Sequence, residues 1–381
     1  MQNSIAVPAA EPDPVEQTVN SLRLELHGLF EVRNVSTRSQ GEVIAFSGRL
    51  LVNADNSYDV IKRRFQSYGY TPAFRHEKGK DVILAMEGLV EQPKTGNPLI
   101  NILLFVATVF TTLSAGAILV TGRSLFGSFL TGNPLAILQA LIAGLPFAIT
   151  LLGILGIHEL GHYIAARLHG VKATLPYFIP MPFGLGTLGA FISLRSPMQD
   201  RKVLFDIGLA GPYAGFLAAV PLMLLGLLLS STNFVPYSYP GQTLDSLGTS
   251  VLIELFVRGF TDIPPDRTLL VDPIFFAAWL GFFLTGINLL PVGQLDGGHA
   301  SYALLGRPAH IVALITFGLL ILAGAFTQNM TWFVWAFFIM LGGLRHPPPM
   351  NDISDVGPVR KVIGVMTIGL FFLIIIPVPF R

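Results

Sequence analysis

Residues 147–169, FAITLLGILGIHELGHYIAARLH, form an apolar run long enough to cross a bilayer, yet His158, Glu159 and His162 stand in its middle. An α-helix pairs all its backbone polar groups internally, so a run of this kind can enter lipid as a helix and as very little else. Ionisable side chains at that depth are expensive, and chains that keep them generally use them.

On a helix, residues four apart share a face one turn apart, so His158 and His162 can grip one metal ion. Glu159 leans beside them, where a carboxylate can take a proton from a water acidified by the metal. This is the HExxH spacing of zinc hydrolases. The bland alternative makes the histidines satisfied polar residues of a helix bundle, and it needs the motif to arise by chance.

Composition places the run in a membrane protein. Hydrophobic residues make up 52% of the chain and charged residues 12%, with a mean hydropathy of +0.62, far from the usual soluble balance. There are no cysteines, which excludes disulfides and thiolate metal sites. A net charge of +1 offers no footprint for nucleic acid. The first 20 residues are polar and acidic, without the apolar core of a cleavable signal, so none is expected there.

Charge is unevenly spread. Residues 1–97 hold 11 of the 24 Lys+Arg and 12 of the 23 Asp+Glu, so about a quarter of the chain carries nearly half its charge and reads as soluble. Residues 1–17 are expected to be a disordered tail. A strand near 43–52, a helix near 56–68 and a hairpin turning at Lys78-Gly79-Lys80 then predict a small α+β domain over 18–97. Lys62-Arg63-Arg64 reads as a solvated helix face, with contact to lipid head groups as the alternative.

After the linker EQPKTGNP, apolar runs of bilayer length predict about seven spans, near 98–121, 134–168, 207–229, 272–290, 309–326, 329–344 and 360–378. The second is long enough to contain a short extra helix before Pro146. Asn97-Pro98 and Asn133-Pro134 open the first two spans with an asparagine cap and a proline whose missing N–H costs nothing there.

The fold expected is therefore an all-α polytopic membrane domain over 98–381, preceded by the soluble domain. Arg167, Lys172, Arg195, Arg201, Lys202, Arg345, Arg360 and Lys361 fall on one side of such a bundle, which should be cytoplasmic. The metal site and the front domain share that side.

Two histidines, a carboxylate and an open position make a common catalytic zinc site, so a third ligand must come from elsewhere. Acidic residues near the later spans are scarce, and the candidate is Asp296 in INLLPVGQLDGGH. Pro291 and the glycines there break an apolar helix, which is tolerable at membrane depth only where backbone lines a cavity or is buried in protein. Such a break lets Asp296 reach a neighbouring helix, although it could instead simply cap the helix that follows. Asn288 could donate a hydrogen bond to a substrate carbonyl or oxyanion. His299, three residues after Asp296, is either a partner to a ligand or an alternative ligand.

Taken together, His158-Glu159-Leu160-Gly161-His162 followed by Asn288-x-x-Pro291 and Leu295-Asp296-Gly297 resembles the site-2 protease family of intramembrane zinc metalloproteases. The resemblance covers roughly 134–305. It implies one zinc per chain held by His158, His162 and Asp296, with Glu159 as general base and Asn288 helping to hold the scissile carbonyl. It also implies transmembrane protein substrates in a lipid bilayer.

Residues 184–196, GLGTLGAFISLRS, resemble the family's membrane-associated β-hairpin beside the active site, and an ordinary cytoplasmic loop is the alternative. Ala210-Gly211-Pro212 resembles the AGP segment of its second core helix, where Gly211 and Gly215 would allow close packing. Asp206, just before, is expected to be an N-cap. The soluble front followed by extra spans is similar in layout to the cyanobacterial and chloroplast branch. A metal-ion or solute transporter also places histidines and carboxylates within helices, but it should carry polar residues through to both faces, whereas here they cluster at one level.

Overall fold

A computed structural model describes residues 13–38, 41–88, 97–231, 233–237 and 243–379. The chain is mostly helical and divides into two compact units. The first twelve residues and most of the EQPKTGNP linker lie outside the described residues.

The first unit contains α1 (Pro14–Glu25), β1 (Phe30–Arg38), β2 (Val43–Leu50), α2 (Ala54–Gln66), β3 (Tyr70–Glu77) and β4 (Lys80–Glu87), with the antiparallel sheet order β1-β2-β4-β3. Helix α1 begins inside the stretch expected to be a tail. Strand β1 does not announce itself in the sequence, because it fully buries only Phe30, Val32 and Val35 are half-buried, and a bulge between Val32 and Asn34 breaks the period-2 alternation. The β3–β4 hairpin turns as expected, through Lys78 (φ 49°) and Gly79 (φ 76°), the left-handed pair that a tight hairpin needs. Leu22, Leu26, Phe46, Ile61, Phe65 and Phe74 close the core.

The same unit also includes Met198–Arg201 and Pro348–Asp355. The Phe74 amide donates to the Met350 carbonyl (2.7 Å) and the Asp352 amide to the Phe74 carbonyl (3.1 Å), while the Asn351 amide donates to Gln199 (2.8 Å). Two short segments from far along the chain thus extend the β3 edge, the usual remedy for an open strand edge.

The second unit holds α3 (Pro98–Thr121), α4 (Leu125–Leu130), α5 (Pro134–Leu168), β5 (Tyr177–Pro180), β6 (Thr187–Phe191), α6 (Arg201–Ser230), β7 (Phe234–Pro236), α7 (Val251–Phe260), β8 (Arg267–Leu269), α8 (Pro273–Asn288), α9 (Asp296–Leu305), α10 (Ala309–Thr327), α11 (Met330–Gly342) and α12 (Pro358–Ile374), α6 entering it at Lys202. Among the described residues four helices, α3, α5, α6 and α10, are long and apolar enough to cross a membrane; α8 and α11 are shorter apolar helices.

The stretch 134–168 is one continuous helix with Pro146 inside it. Asn97 and Asn133 cap as expected, each side-chain oxygen accepting from the amide two residues on at 3.0 Å. Small residues let the helices meet backbone to backbone: a Cβ at Gly144 of α5 would lie 2.2 Å from the Leu113 carbonyl of α3, and one at Gly226 of α6 would lie 2.2 Å from the Phe275 nitrogen of α8. Phe147, Phe276, Trp279 and Phe283 stack in series at 5.6–5.9 Å, and the buried Trp279 indole donates to the Gly248 carbonyl at 2.7 Å.

Candidate metal centre

Helix α5 carries His158, Glu159 and His162 as one buried patch, each 6–7% exposed. Their partner arrives where the later apolar stretch breaks. Helix α8 stops at Asn288, the chain turns through Leu289–Leu295, and α9 starts at Asp296. Asp296 is the first helical residue and not the cap, since Leu295 takes that position. Its carboxylate instead turns to the histidines, Oδ2 standing 3.3 Å from His158 Nε2 and Oδ1 3.3 Å from His162 Nε2. The break is tight: a Cβ on Gly297 would fall 2.0 Å from the Leu289 carbonyl, and one on Gly298 2.4 Å from that of Gly293.

The two Nε2 atoms are 3.1 Å apart, and one donor atom from each of His158, His162 and Asp296 lies within 4.8 Å of the others. Ligands about 2.0–2.1 Å from a tetrahedral zinc stand roughly 3.3–3.4 Å from one another, so the donor spacing fits that metal. Orientation fits too. His162 Nδ1 lies 2.7 Å from the Ile207 carbonyl and donates to it, which commits its proton there and leaves the Nε2 lone pair for the metal.

Helix α6 makes room for these rings. A Cβ at Gly211 would lie 2.1 Å from His162 Nε2, and one at Gly215 would lie 3.1 Å from His158 Nδ1. The glycine spacing expected to serve helix packing therefore also makes room for the two histidine rings. Gly161 brings α5 against α6, its absent Cβ facing the Ala210 carbonyl at 2.5 Å.

Glu159, Asn288 and His299 line the same cleft, of about 250 Å³, with Ala190, Phe191 and Ile192 on its other wall. The Ile192 amide donates to the Glu159 carboxylate. Strand β6 thus runs beside the site as half of a hairpin with β5, and β5 begins upstream of the stretch 184–196 singled out in the sequence. The hairpin leans on α3, where Asn101 donates to the Leu175 and Pro176 carbonyls and Thr111 to that of Gly186. All five expected site residues converge on one cleft.

Two features escaped the sequence reading. Asp206 is not a cap: it lies within α6 and receives Arg360 from α12 through Nε (2.7 Å) and Nη2 (2.6 Å), with His169 Nε2, just past α5, at 3.0 Å. His346 also went unnoticed; it follows α11 and contacts His299. Neither pairing has a sequence signal, since the partners are 154 and 47 residues apart.

Residues 146–326 match the family model described as peptidase family M50. The chain is 35% identical over 244 residues to "Probable zinc metalloprotease EGY1, chloroplastic" of Arabidopsis thaliana, covering 62% of this chain and 43% of that protein. It is 33% identical over 296 residues to the EGY1 protein of Oryza sativa subsp. japonica (73% and 50%), and 28% identical over 389 residues to the EGY2 protein of Arabidopsis thaliana (96% and 66%). The chain thus spans about half the length of the first two relatives. No solved structure matches it. From the paired motifs, the converging donors and these likenesses, the chain carries across residues 146–326 a domain of peptidase family M50, the site-2 protease family.

Proposed function

We propose that this protein is an intramembrane zinc metalloprotease that hydrolyses peptide bonds within or near transmembrane segments of other membrane proteins. The observation that carries the reading is the convergence of His158, His162 and Asp296 beside Glu159, in helices otherwise built of apolar residues. The names of the relatives, "Probable zinc metalloprotease" EGY1 and EGY2, chloroplastic, support it.

His158, His162 and Asp296 would hold the ion. Bound there, zinc supplies Lewis acidity toward a peptide carbonyl and lowers the pKa of a water. Glu159 takes a proton from the attacking water as its oxygen bonds to the carbonyl carbon. The C–N bond then breaks, and the proton passes from Glu159 to the leaving amine. The Asn288 amide donates to the carbonyl oxygen as charge develops on it. A helical substrate must unwind first, and β6 can offer it backbone hydrogen bonds, as strand addition does elsewhere.

The finer architecture belongs to the same proposal. Helices α3, α5, α6, α8, α10, α11 and α12 are taken as seven spans, with the β5–β6 hairpin associated with the membrane and residues up to 97 as a soluble domain. The Lys and Arg distribution supports placing the centre and that domain toward the cytoplasmic or stromal side.

The test is Glu159→Gln in the purified full chain, with zinc content and cleavage of a model membrane substrate measured together. Zinc is expected to stay while cleavage falls by a factor of about 10² or more. Parental cleavage by the zinc-loaded variant would remove Glu159 from the chemistry.

A further inference from the structure

The cleft has one imidazole that the mechanism above does not use. His299 lies three residues after Asp296 on α9 and lines the cleft. Its Nδ1 is 2.5 Å from Nε2 of His346, in the segment after α11. The rings meet edge to face at 86° with centroids 4.8 Å apart, and the His346 ring stacks at 28° and 4.9 Å on Tyr302, which neighbours His299 one helical turn on. His346 is thus gripped on its edge by one ring and on its face by another.

Two imidazole nitrogens at that distance share a single proton, so the state of one ring dictates that of the other. With Nδ1 taken by His346, Nε2 is the nitrogen His299 has left for the cleft. When His346 Nε2–H donates to His299 Nδ1, His299 keeps an Nε2–H that it can donate within the cleft it lines. Helix α6 fixes the ring's seat, since a Cβ at Gly208 would lie 2.7 Å from the His299 Cβ.

We propose that His299 is a further catalytic residue, a hydrogen-bond donor to the oxygen of the peptide group being cut, and that His346 is a positioning residue that sets its tautomer and direction. The role rests on the protease reading. The dyad itself does not, because it is present in the chain without any turnover.

The experiment therefore has two arms on the full chain in detergent. In the first, the chain is labelled with [¹⁵N]histidine and prepared without metal, and its eight histidines are assigned by single substitution. His299 is expected to show a protonated Nε2 and an unprotonated Nδ1, a pattern lost in His346→Ala and kept in His346→Gln, whose amide can also donate. A protonated Nδ1 on His299 in the parental chain, or no change in His346→Ala, would overturn the dyad.

In the second arm, the zinc-loaded variants cleave a model membrane substrate. His346→Ala is expected to lower kcat about 10- to 100-fold with KM and zinc content near parental values, and His346→Gln to recover most of the loss. His299→Ala should lose at least as much. A parental kcat in His299→Ala, or loss of zinc together with activity in both His346 variants, would overturn the catalytic role. If the zinc-loaded parental chain leaves the model membrane substrate uncut while the first arm holds, the protease reading fails and the dyad survives.

Discussion

Helix α5 and the α8–α9 junction supply the two halves of one centre by opposite means. Along α5 the backbone is unbroken through Leu168, and the four-residue spacing alone puts His158 and His162 on one face. At the junction the backbone leaves helical geometry between Asn288 and Asp296, so a carboxylate can turn across to another helix. The regular half places its proposed ligands by periodicity. The irregular half places Asp296, its proposed ligand, by glycines that leave no space for a Cβ. Here the two combine, because α5 presents two donors on one face and the third comes from the break before α9.

The sharpest way to break the comparison is to remove the ligand from the irregular half. Asp296→Ala is expected to weaken zinc binding by more than about 100-fold, beyond the 10–100-fold usual for outer partners. Zinc content after dialysis against a chelator checks this, and stoichiometric zinc in the variant would leave α5 as the whole site.

Next comes the space around the regular half. Gly211→Ala would put a methyl 2.1 Å from His162 Nε2, and zinc retention is expected to drop to a similar degree. Gly153→Ala, on α5 with nothing within 4 Å of its Cβ, should leave both zinc and stability within about 0.5 kcal/mol of parental. Equal behaviour of the two variants would mean that α6 does not shape the pocket.

Smaller effects are expected at the ends of the helices. Asp206 joins the region past α5 to α12 through His169 and Arg360. Asp206→Asn removes a charge-assisted pair that is partly exposed, and a loss of about 2 kcal/mol is expected, read as earlier thermal aggregation in detergent with zinc still bound. An unchanged midpoint would show the cluster to be incidental. Asn133→Ala, which deletes the cap of α5 twenty-five residues before His158, should cost about 1 kcal/mol and leave cleavage untouched. Lost cleavage there would mean that the two ends of α5 are coupled.

The helical membrane unit was legible because its signals are local. Apolar length, Asn-Pro starts and the HExxH spacing are each contained in one stretch; the caps and the histidine pair reappear where the sequence puts them, and apolar length does so for α3, α5, α6 and α10 among the seven expected spans. The front unit was legible only in part. Strand β2, α2 and the β3–β4 hairpin carry their own pattern, whereas a bulge breaks the alternation of β1 and the β3 edge is completed by residues around 199 and 351.

In the centre, residue type and spacing were enough to name His158, Glu159 and His162, and the scarcity of acids near the later spans was enough to name Asp296. That Asp296 turns to the histidines and does not cap α9, that Gly211 makes room for His162, and that His346 holds His299 are decisions of packing between chain segments 47 to 138 residues apart. One-dimensional periodicity records which face of an element a side chain occupies. Which element comes to meet that face depends on the summed fit of every other contact, and only the folded chain contains that sum.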